Sequence, residues 1–357
     1  PQRHWARSAR EDAPLLFRLR ADLAQWRWGL AFLGQCLPGN TRRNTVQLVK
    51  LGLYSRACLQ ALRAQTGIEY DQLSRGILHF YSSAAEVEAA RTSVRIMREQ
   101  GCAIELIDVQ AAIALEPALR DAGHLLAGAS VAPDDESGDA HRFATALAWQ
   151  ASRKGVHFRF DTRVQALEQE GGRIAAVRCA GPAGEEAVRG DAYVLALGSY
   201  SPLLAAPLGV DLRIYPAKGY SVTLPVLDHG RAYTMSLTDE AGKIVFSRLG
   251  ERLRVAGTAE FTGYDTRLNN VRCAALTRRL LQLFPGVADP AVAQYWTGLR
   301  PATPSNVPYI GRSRLPNLFL NTGHGTLGWT HACGSGRALA DIISGRRPEV
   351  DFAFTSL

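Results

Sequence analysis

The sequence predicts a mixed α/β (α+β) fold built as two interleaved domains, and three observations carry that expectation. Helical recurrence and strand-like runs alternate through the first half of the chain, residues 193–197 form an apolar run without polar alternation, and from Asp211 onward the texture changes to period-two strands. At 357 residues the chain has the length for a large core and for more than one domain.

Taken in order, residues 41–66 place Val46, Leu48, Val49, Leu53, Leu59 and Leu62 at helical spacing, and Gly67 stands where a left-handed cap belongs. "GILHFYSS" reads as a strand, residues 84–100 as a helix stopped by Gly101, "AIELI" as a short strand, and "DVQAAIALEPAL" as a capped helical region broken at Pro117. "PDDESGDAHRFATALAWQASRKG" is a loop feeding a helix, with Asp139 as N-cap and Gly155 past its end. Its acids Asp134, Asp135 and Glu136 are read as a solvated turn, because no His or further carboxylate stands at a ligand-like offset. "VHFRFDTRV" and the hairpin-like "GRIAAVRCAGPAGEEAVRG" follow. The run 193–197 is expected as a strand buried on both faces and parallel to its neighbours, ending in Gly198, where backbone approaches a ligand without hindrance. "LRIYPAKGYSVTLP", "KIVFSRLG" and "RLRVAGTAEF" then predict an antiparallel sheet half covered by the helix "NNVRCAALTRRLLQLFP". The chain returns through "QYWTGLRPATPSNVPYIGR" and "PNLFLNTGHG" to the first domain.

Hydrophobic residues at 46% and charged residues at 21% describe an ordinary globular protein, and no apolar stretch approaches the roughly twenty residues of a membrane span. The six cysteines (Cys36, Cys58, Cys102, Cys179, Cys273, Cys333) show no zinc-ligand or C-x-x-C spacing, so no metal site is expected, and all six are read as packing residues of a reducing compartment. Forty-one Lys and Arg against 33 Asp and Glu give a net charge of +8, but the arginines are dispersed beside acids, which argues against nucleic acid as a partner. Residues 1–34 mix Arg with Trp5, Trp26, Trp28 and Phe32; packing against the body is the expected use, and an interfacial helix is the alternative. The chain opens at Pro1 without a visible secretory signal, from which an upstream segment, removed or absent, is expected.

"NTGHGTLGWTHACGSGRALADIISG" contains G-x-G-x-x-G at Gly323, Gly325 and Gly328. A dinucleotide fingerprint opens a βαβ unit of about thirty residues and needs a ribose-binding acid at the end of a second strand. Here the chain ends too soon, and Asp341 falls inside the helix that follows. What remains is the local physics: a strand, a glycine turn, and a helix N-terminus whose unpaired N–H groups receive negative charge. Gly334 and Gly336 lie inside that helix at a cost of about 1 kcal/mol each, which close approach of a neighbour would offset. No G-x-S-x-G, Cys–His pairing, H-E-x-x-H or P-loop is present.

The ordered set "RVQALEQEGGRIAAVRC … DAYVLALGSYS", "YPAKGYS", "YWTGLRPATPSNVPYIGR" and "NLFLNTGHGTLGWTHACGSGRALADIISG" resembles the FAD-dependent D-amino acid oxidase superfamily over nearly the whole chain. Within it, the likeness is greatest to the bacterial D-amino acid dehydrogenase group. The resemblance implies a Rossmann-like FAD-binding domain interleaved with an antiparallel-sheet substrate domain. It apportions residues 1–138 to an N-terminal helical region and part of the substrate domain, 139–210 and 301–357 to FAD binding, and 211–300 to substrate binding. It also implies that the pyrophosphate fingerprint, roughly fifty residues at the amino terminus, lies outside this sequence.

Carried over by likeness, Gly323, His324, Gly325, Thr326, Leu327 and Gly328 surround the flavin, where a helix N-terminus stabilises charge near N1 and O2 of the reduced ring. Val164, Leu197, Gly198 and Ser199 match positions that touch adenine and the ribityl side of FAD. Arg300 matches the arginine that binds the substrate carboxylate, and Tyr220 a hydroxyl or ring wall of the same pocket. The implied reaction is oxidation of a D-amino acid to an imino acid, which water converts to a 2-oxo acid and ammonia. Electrons would pass to a quinone or other respiratory acceptor, on a cytoplasmic protein peripheral to the inner membrane. Two rival readings are a flavin amine oxidase of the glycine, sarcosine or proline type, and a non-catalytic remnant unable to hold FAD.

Overall fold

The computed structural model describes residues 10–357. Trp5 and the start of the basic N-terminal segment lie outside the described residues. The chain divides into two compact units, each assembled from three separate stretches.

The first unit comprises the residues up to Arg20, Glu69–Phe143 and Ala217–Leu299. Its frame is a nine-stranded mixed sheet. The strands are β1 (Leu15–Phe17), β2 (Ile77–Tyr81), β3 (Glu105–Ile107), β4 (Gly128–Ala132), β9 (Tyr215–Pro225), β10 (Ser236–Asp239), β11 (Ile244–Leu249), β12 (Arg252–Phe261) and β13 (Gln294–Ala302). Their order is β13-β9-β12-β11-β10-β2-β4-β3, with β1 parallel to β12. The period-two pattern after Asp211 accounts for the antiparallel β9-β12-β11 core: Val222 pairs with Val255 and Leu224 with Leu253, all fully or nearly buried. The helix Asn270–Leu283, N-capped by Asn269, covers this face with Cys273, Leu276, Leu280 and Leu283. Burying each such leucine contributes roughly 2 kcal/mol. Tyr233, Phe246 and Phe284 close the core as a ring cluster.

The second unit comprises Ala21–Ile68, Ala144–Pro216 and Arg300–Leu357. It contains an antiparallel three-stranded meander of β5 (Arg163–Glu170), β6 (Arg173–Gly181) and β7 (Gly184–Val188). Beside it is a four-stranded sheet of order β16-β14-β15-β8, formed by β8 (Tyr193–Leu195), β14 (Tyr309–Arg312), β15 (Leu318–Thr322) and β16 (Thr355–Ser356). Three helices of this unit matter below: α1 (Leu23–Gln35), α2 (Pro38–Thr66) and α3 (Gly328–Ile343). Pro38 starts α2 at a position where a missing N–H costs nothing, and Gly67, at φ 65°, ends it in the left-handed conformation. Asp139 caps its helix by accepting from the amides of His141 and Arg142.

Two expectations are corrected, on the run 193–197 and on Cys36. The apolar run 193–197 is not buried on both faces: only Tyr193–Leu195 is strand, it forms the edge of its sheet, and Val194 is 46% exposed. "VHFRF" is irregular, with Val156, Phe158 and Phe160 exposed and the two phenylalanine rings stacked on each other. A period read from sequence says which faces are apolar, not whether a neighbouring strand is there to cover them. Cys36 is exposed rather than packed, because it caps the end of α1. Among the described residues no helix is long and apolar enough to cross a membrane.

Candidate functional site

The second unit brings most of the sequence-selected residues to one end of its parallel strand pair. β15 and β8 run parallel, Leu320 opposite Leu195, so both carboxyl ends point the same way. Each ends in a glycine turn: Gly198 has φ 55°, Gly323 φ 81° and Gly325 φ 53°, all in the region that favours a residue without Cβ. The carboxyl end of parallel strands is where open α/β sheets receive ligands. Thr322 holds the two turns together, donating to the Gly198 carbonyl at 3.2 Å and bonded to Ser201 at 2.8 Å.

The carboxyl end of β13 lies against the same turns. Ala302 and His324 form an antiparallel bridge. A Cβ on Gly323 would stand 2.7 Å from the Thr303 side chain, and one on Gly198 would stand 3.8 Å from Pro301. Arg300, two residues ahead of the bridge, is thereby held beside the glycine turn. Its guanidinium is half-buried, and burial lowers its pKa from the ordinary value. A cation removed from water gains most from a bound carboxylate.

Past the turn, Gly325–Leu327 form one 3-10 turn that leads into α3. Leu327 is the N-cap residue and supplies no side-chain hydrogen bond, and the first turn holds no acid. The N–H groups of this helix start therefore have no capping side chain and present the positive dipole end. Gly328 has an ordinary helical φ of −55°, and a Cβ there would meet only His324 Cβ at 3.8 Å. The protein's own packing gives no reason for a glycine at this position.

Two histidines back the turn as neutral groups. Burial, with a smaller effect of His331, brings His324 down to about 4; burial, against its bond to Leu48, brings His331 to about 4 as well. The Ser335 hydroxyl donates to the His331 carbonyl at 2.7 Å, so its oxygen accepts from His324 Nε2 at 2.9 Å. That fixes the Nε2–H tautomer of His324. His331 Nε2 must donate to the Leu48 carbonyl at 3.2 Å, which leaves its buried Nδ1 without a partner among the described residues.

Val164 and Leu197 meet in one apolar cavity of about 200 Å³, lined also by Leu167, Val177, Leu195 and Leu318. Ser199 is buried in the short turn after Gly198, and Thr326 is exposed. These residues fit FAD: glycine turns at the strand ends, an uncapped helix start suited to negative charge, and an apolar recess in the same unit.

Tyr220 is placed differently from the expectation. Its ring is in the core of the first unit, and its hydroxyl donates to Glu260 at 2.5 Å. The alternation along β9 turns residue 220 to the helix-covered face, so a side chain read as a pocket wall is a core residue. The two helix glycines also part ways. A Cβ on Gly334 would stand 2.7 Å from Ser55 Cβ and 2.8 Å from its Cα, and the Gly334 amide donates to Ser55 Oγ at 3.0 Å; α2 thus approaches α3 as closely as expected. Around Gly336 nothing lies within 4 Å.

Sequence reasoning gave Ser201, Thr322 and Ser335 no role and read Trp28 only as a packing residue or part of an interfacial helix. Trp28 is buried and donates its indole N–H to the Ala302 carbonyl at 2.7 Å, fixing the strand end that carries Arg300. No local signal marks these residues, since Trp28 and Ala302 are 274 positions apart.

Comparison with known proteins gives a consistent picture. A family model described as "FAD dependent oxidoreductase", DAO, matches residues 20–342. A D-amino acid dehydrogenase of Dechloromonas aromatica is 55% identical over 346 residues, covering 97% of this chain and 83% of that protein. A D-amino acid dehydrogenase of Paramagnetospirillum magneticum is 50% identical, covering 94% of this chain and 79% of that protein. Among solved structures, glycine oxidase from Geobacillus kaustophilus superimposes with a TM-score of 0.75 at 25% identity, over 87% of this chain and 84% of that one.

Proposed function

Because the chain belongs to the DAO family of FAD-dependent oxidoreductases, we propose that it oxidises D-amino acids to 2-oxo acids and ammonia, with electrons passed to a quinone or other acceptor at the inner-membrane surface. The observation that carries this reading is the bridge between Ala302 and His324, which sets Arg300 beside a glycine turn and an uncapped helix N-terminus.

On this reading the residues take the following roles. Arg300 binds the substrate carboxylate through two N–H groups and so fixes how the Cα–H bond is presented. Trp28, through its bond to the Ala302 carbonyl, restrains the backbone that carries Arg300 and acts as a positioning residue. The amides at the start of α3 offer their dipole to negative charge developing on the acceptor ring. Neutral His324 and His331 support the turn without adding a competing cation. FAD, when bound, accepts the hydride equivalent. The imino acid so formed is hydrolysed by water, which needs no side-chain nucleophile. Gly198, Ser199, Val164 and Leu197 would line the ribityl and adenine side of FAD.

The test is spectroscopic. The purified 357-residue chain, supplied with FAD, should show flavin absorbance that bleaches anaerobically with D-alanine and persists with L-alanine. Failure to retain FAD, or bleaching by L-alanine alone, would remove the reading. Rapid reoxidation by oxygen instead of by quinone analogues would favour an oxidase.

A further inference from the structure

The two faces of the first unit's sheet differ in kind. Tyr220, Val222 and Leu224 of β9, with Leu253 and Val255 of β12, point into the core that the helix Asn270–Leu283 covers. Thr223 pairs with Arg254 and Ser221 with Ala256, so these side chains point the other way. On the neighbouring strand β13, Tyr295 packs on the covered core and its hydroxyl bonds to Thr277 at 2.8 Å, which turns Trp296 to the opposite face. There Arg254 lies across β9. Its Nη1 donates to Thr223 Oγ1 at 3.3 Å and its Nη2 to Ser221 Oγ at 3.0 Å, and the guanidinium carbon is 5.7 Å from the centre of the Trp296 ring. A Cβ on Gly298 would stand 2.2 Å from Trp296 Cη2, so the missing side chain lets the indole lie against its own strand. The Trp296 side chain is still 59% exposed.

Arg252 and Arg254 share one face of β12, two residues apart, and are answered differently. Arg252 pairs with Asp139 at 2.8 Å and with Asp71 at 3.5 Å. Arg254 is half-buried, and burial lowers its pKa against the pull of Asp139. Among the described residues it forms no ion pair, and two neutral hydroxyls take two of its five N–H groups. A guanidinium withdrawn from water without a counter-charge gains most from an anion brought to it. We propose that Arg254 and Trp296 form a binding site for a carboxylate that carries an apolar or aromatic body, the guanidinium holding the carboxylate and the indole stacking on the body. The planar fork of an arginine matches a planar carboxylate, and a fixed, exposed indole offers flat apolar surface beside it. Inorganic phosphate is a poorer occupant, because it has nothing to lay on the ring. The site is built from first-unit residues alone and uses neither Arg300 nor a flavin, so it goes beyond the reading under Proposed function and does not rest on it.

Calorimetric titration of the FAD-supplied full chain with 3-phenylpropionate tests the site. Its amide, 3-phenylpropionamide, is the uncharged control, and inorganic phosphate is the anion without a body. The carboxylate should bind, and both controls should bind at least tenfold more weakly. Binding should persist in Arg300→Ala, where the anchor of the proposed reaction is silent. In that background Arg254→Gln should weaken binding at least tenfold, and Arg254→Lys, which keeps the charge and loses the fork, several-fold. Trp296→Leu should weaken 3-phenylpropionate several-fold and leave phosphate unaffected. Because Trp296 is exposed, Trp296→Leu should keep the wild-type melting temperature, and it carries the test if Arg254→Gln does not fold. Binding that neither the Arg254 nor the Trp296 variants weaken would overturn the proposal. Equal affinity for the amide or for phosphate would do the same. If Arg300→Ala abolishes binding, this site falls while the role given to Arg300 stands.

Discussion

Glu260 in the first unit and Arg300 in the second are both charges withdrawn from water, and they are closed in different ways. Glu260 receives the Tyr220 hydroxyl and Arg18 Nε, each at 2.5 Å, with buried Lys218 at 3.7 Å and Arg272 over the Tyr220 ring. Burial pushes the Glu260 carboxyl up, yet Tyr220, Arg18 and Lys218 together outweigh it and hold it below the usual carboxylate range. This cluster completes its own electrostatics with protein groups and behaves as structure. Around Arg300 the neighbouring elements are glycine turns and a helix start that no side chain caps. Positive potential is gathered there from backbone and guanidinium alike, which suits an anion brought from outside. Perturbed charge therefore does not by itself identify a site; the two are told apart by what surrounds them, charged side chains at Glu260 and glycine turns with a helix start at Arg300.

The contrast breaks most decisively at Arg300. Arg300→Ala in FAD-loaded protein should lower D-amino acid turnover at least tenfold, because a charged hydrogen bond contributes about 1.5–3 kcal/mol; unchanged kcat/KM would remove the substrate assignment. Within α3 the same distinction between closed and open surroundings recurs. Gly334→Ala should destabilise by about 2 kcal/mol or more, since its Cβ meets the Ser55 backbone, a contact that cannot rotate away. Denaturant melts would expose an error if the variant were as stable as wild type. Tyr220→Phe should cost about 1–2 kcal/mol of stability and leave turnover within about twofold, as expected of a residue in the closed cluster; a turnover loss resembling that of Arg300→Ala would return Tyr220 to the pocket. The smallest effect is at Gly336, where Gly336→Ala should raise stability by about 0.5–1 kcal/mol, as the site is open.

Several features were legible along the chain because their causes are local. Gly67 closes α2, Asp139 and Asn269 cap their helices, and the period-two runs after Asp211 pair as antiparallel strands. The glycine turn at 323–328 was legible for the same reason, a strand, a turn and a helix start following one another in sequence. Other features depend on which distant elements meet. Nothing near Val194 says that its strand ends a sheet, and nothing near Tyr220 says which face of β9 the helix Asn270–Leu283 covers.

By itself, then, the sequence determined the repertoire of elements and the turn chemistry, since each follows from backbone sterics and hydrophobic period within a few residues, while Arg300 was singled out only by the family resemblance. Tertiary structure alone decided that Trp28 reaches Ala302, that Ser55 needs Gly334, that Tyr220 is spent on Glu260, and that one side of α1 remains outside. Those outcomes arise from contacts between segments far apart in the chain, and burial, unlike helical or strand propensity, belongs to the assembled packing and not to any window of residues.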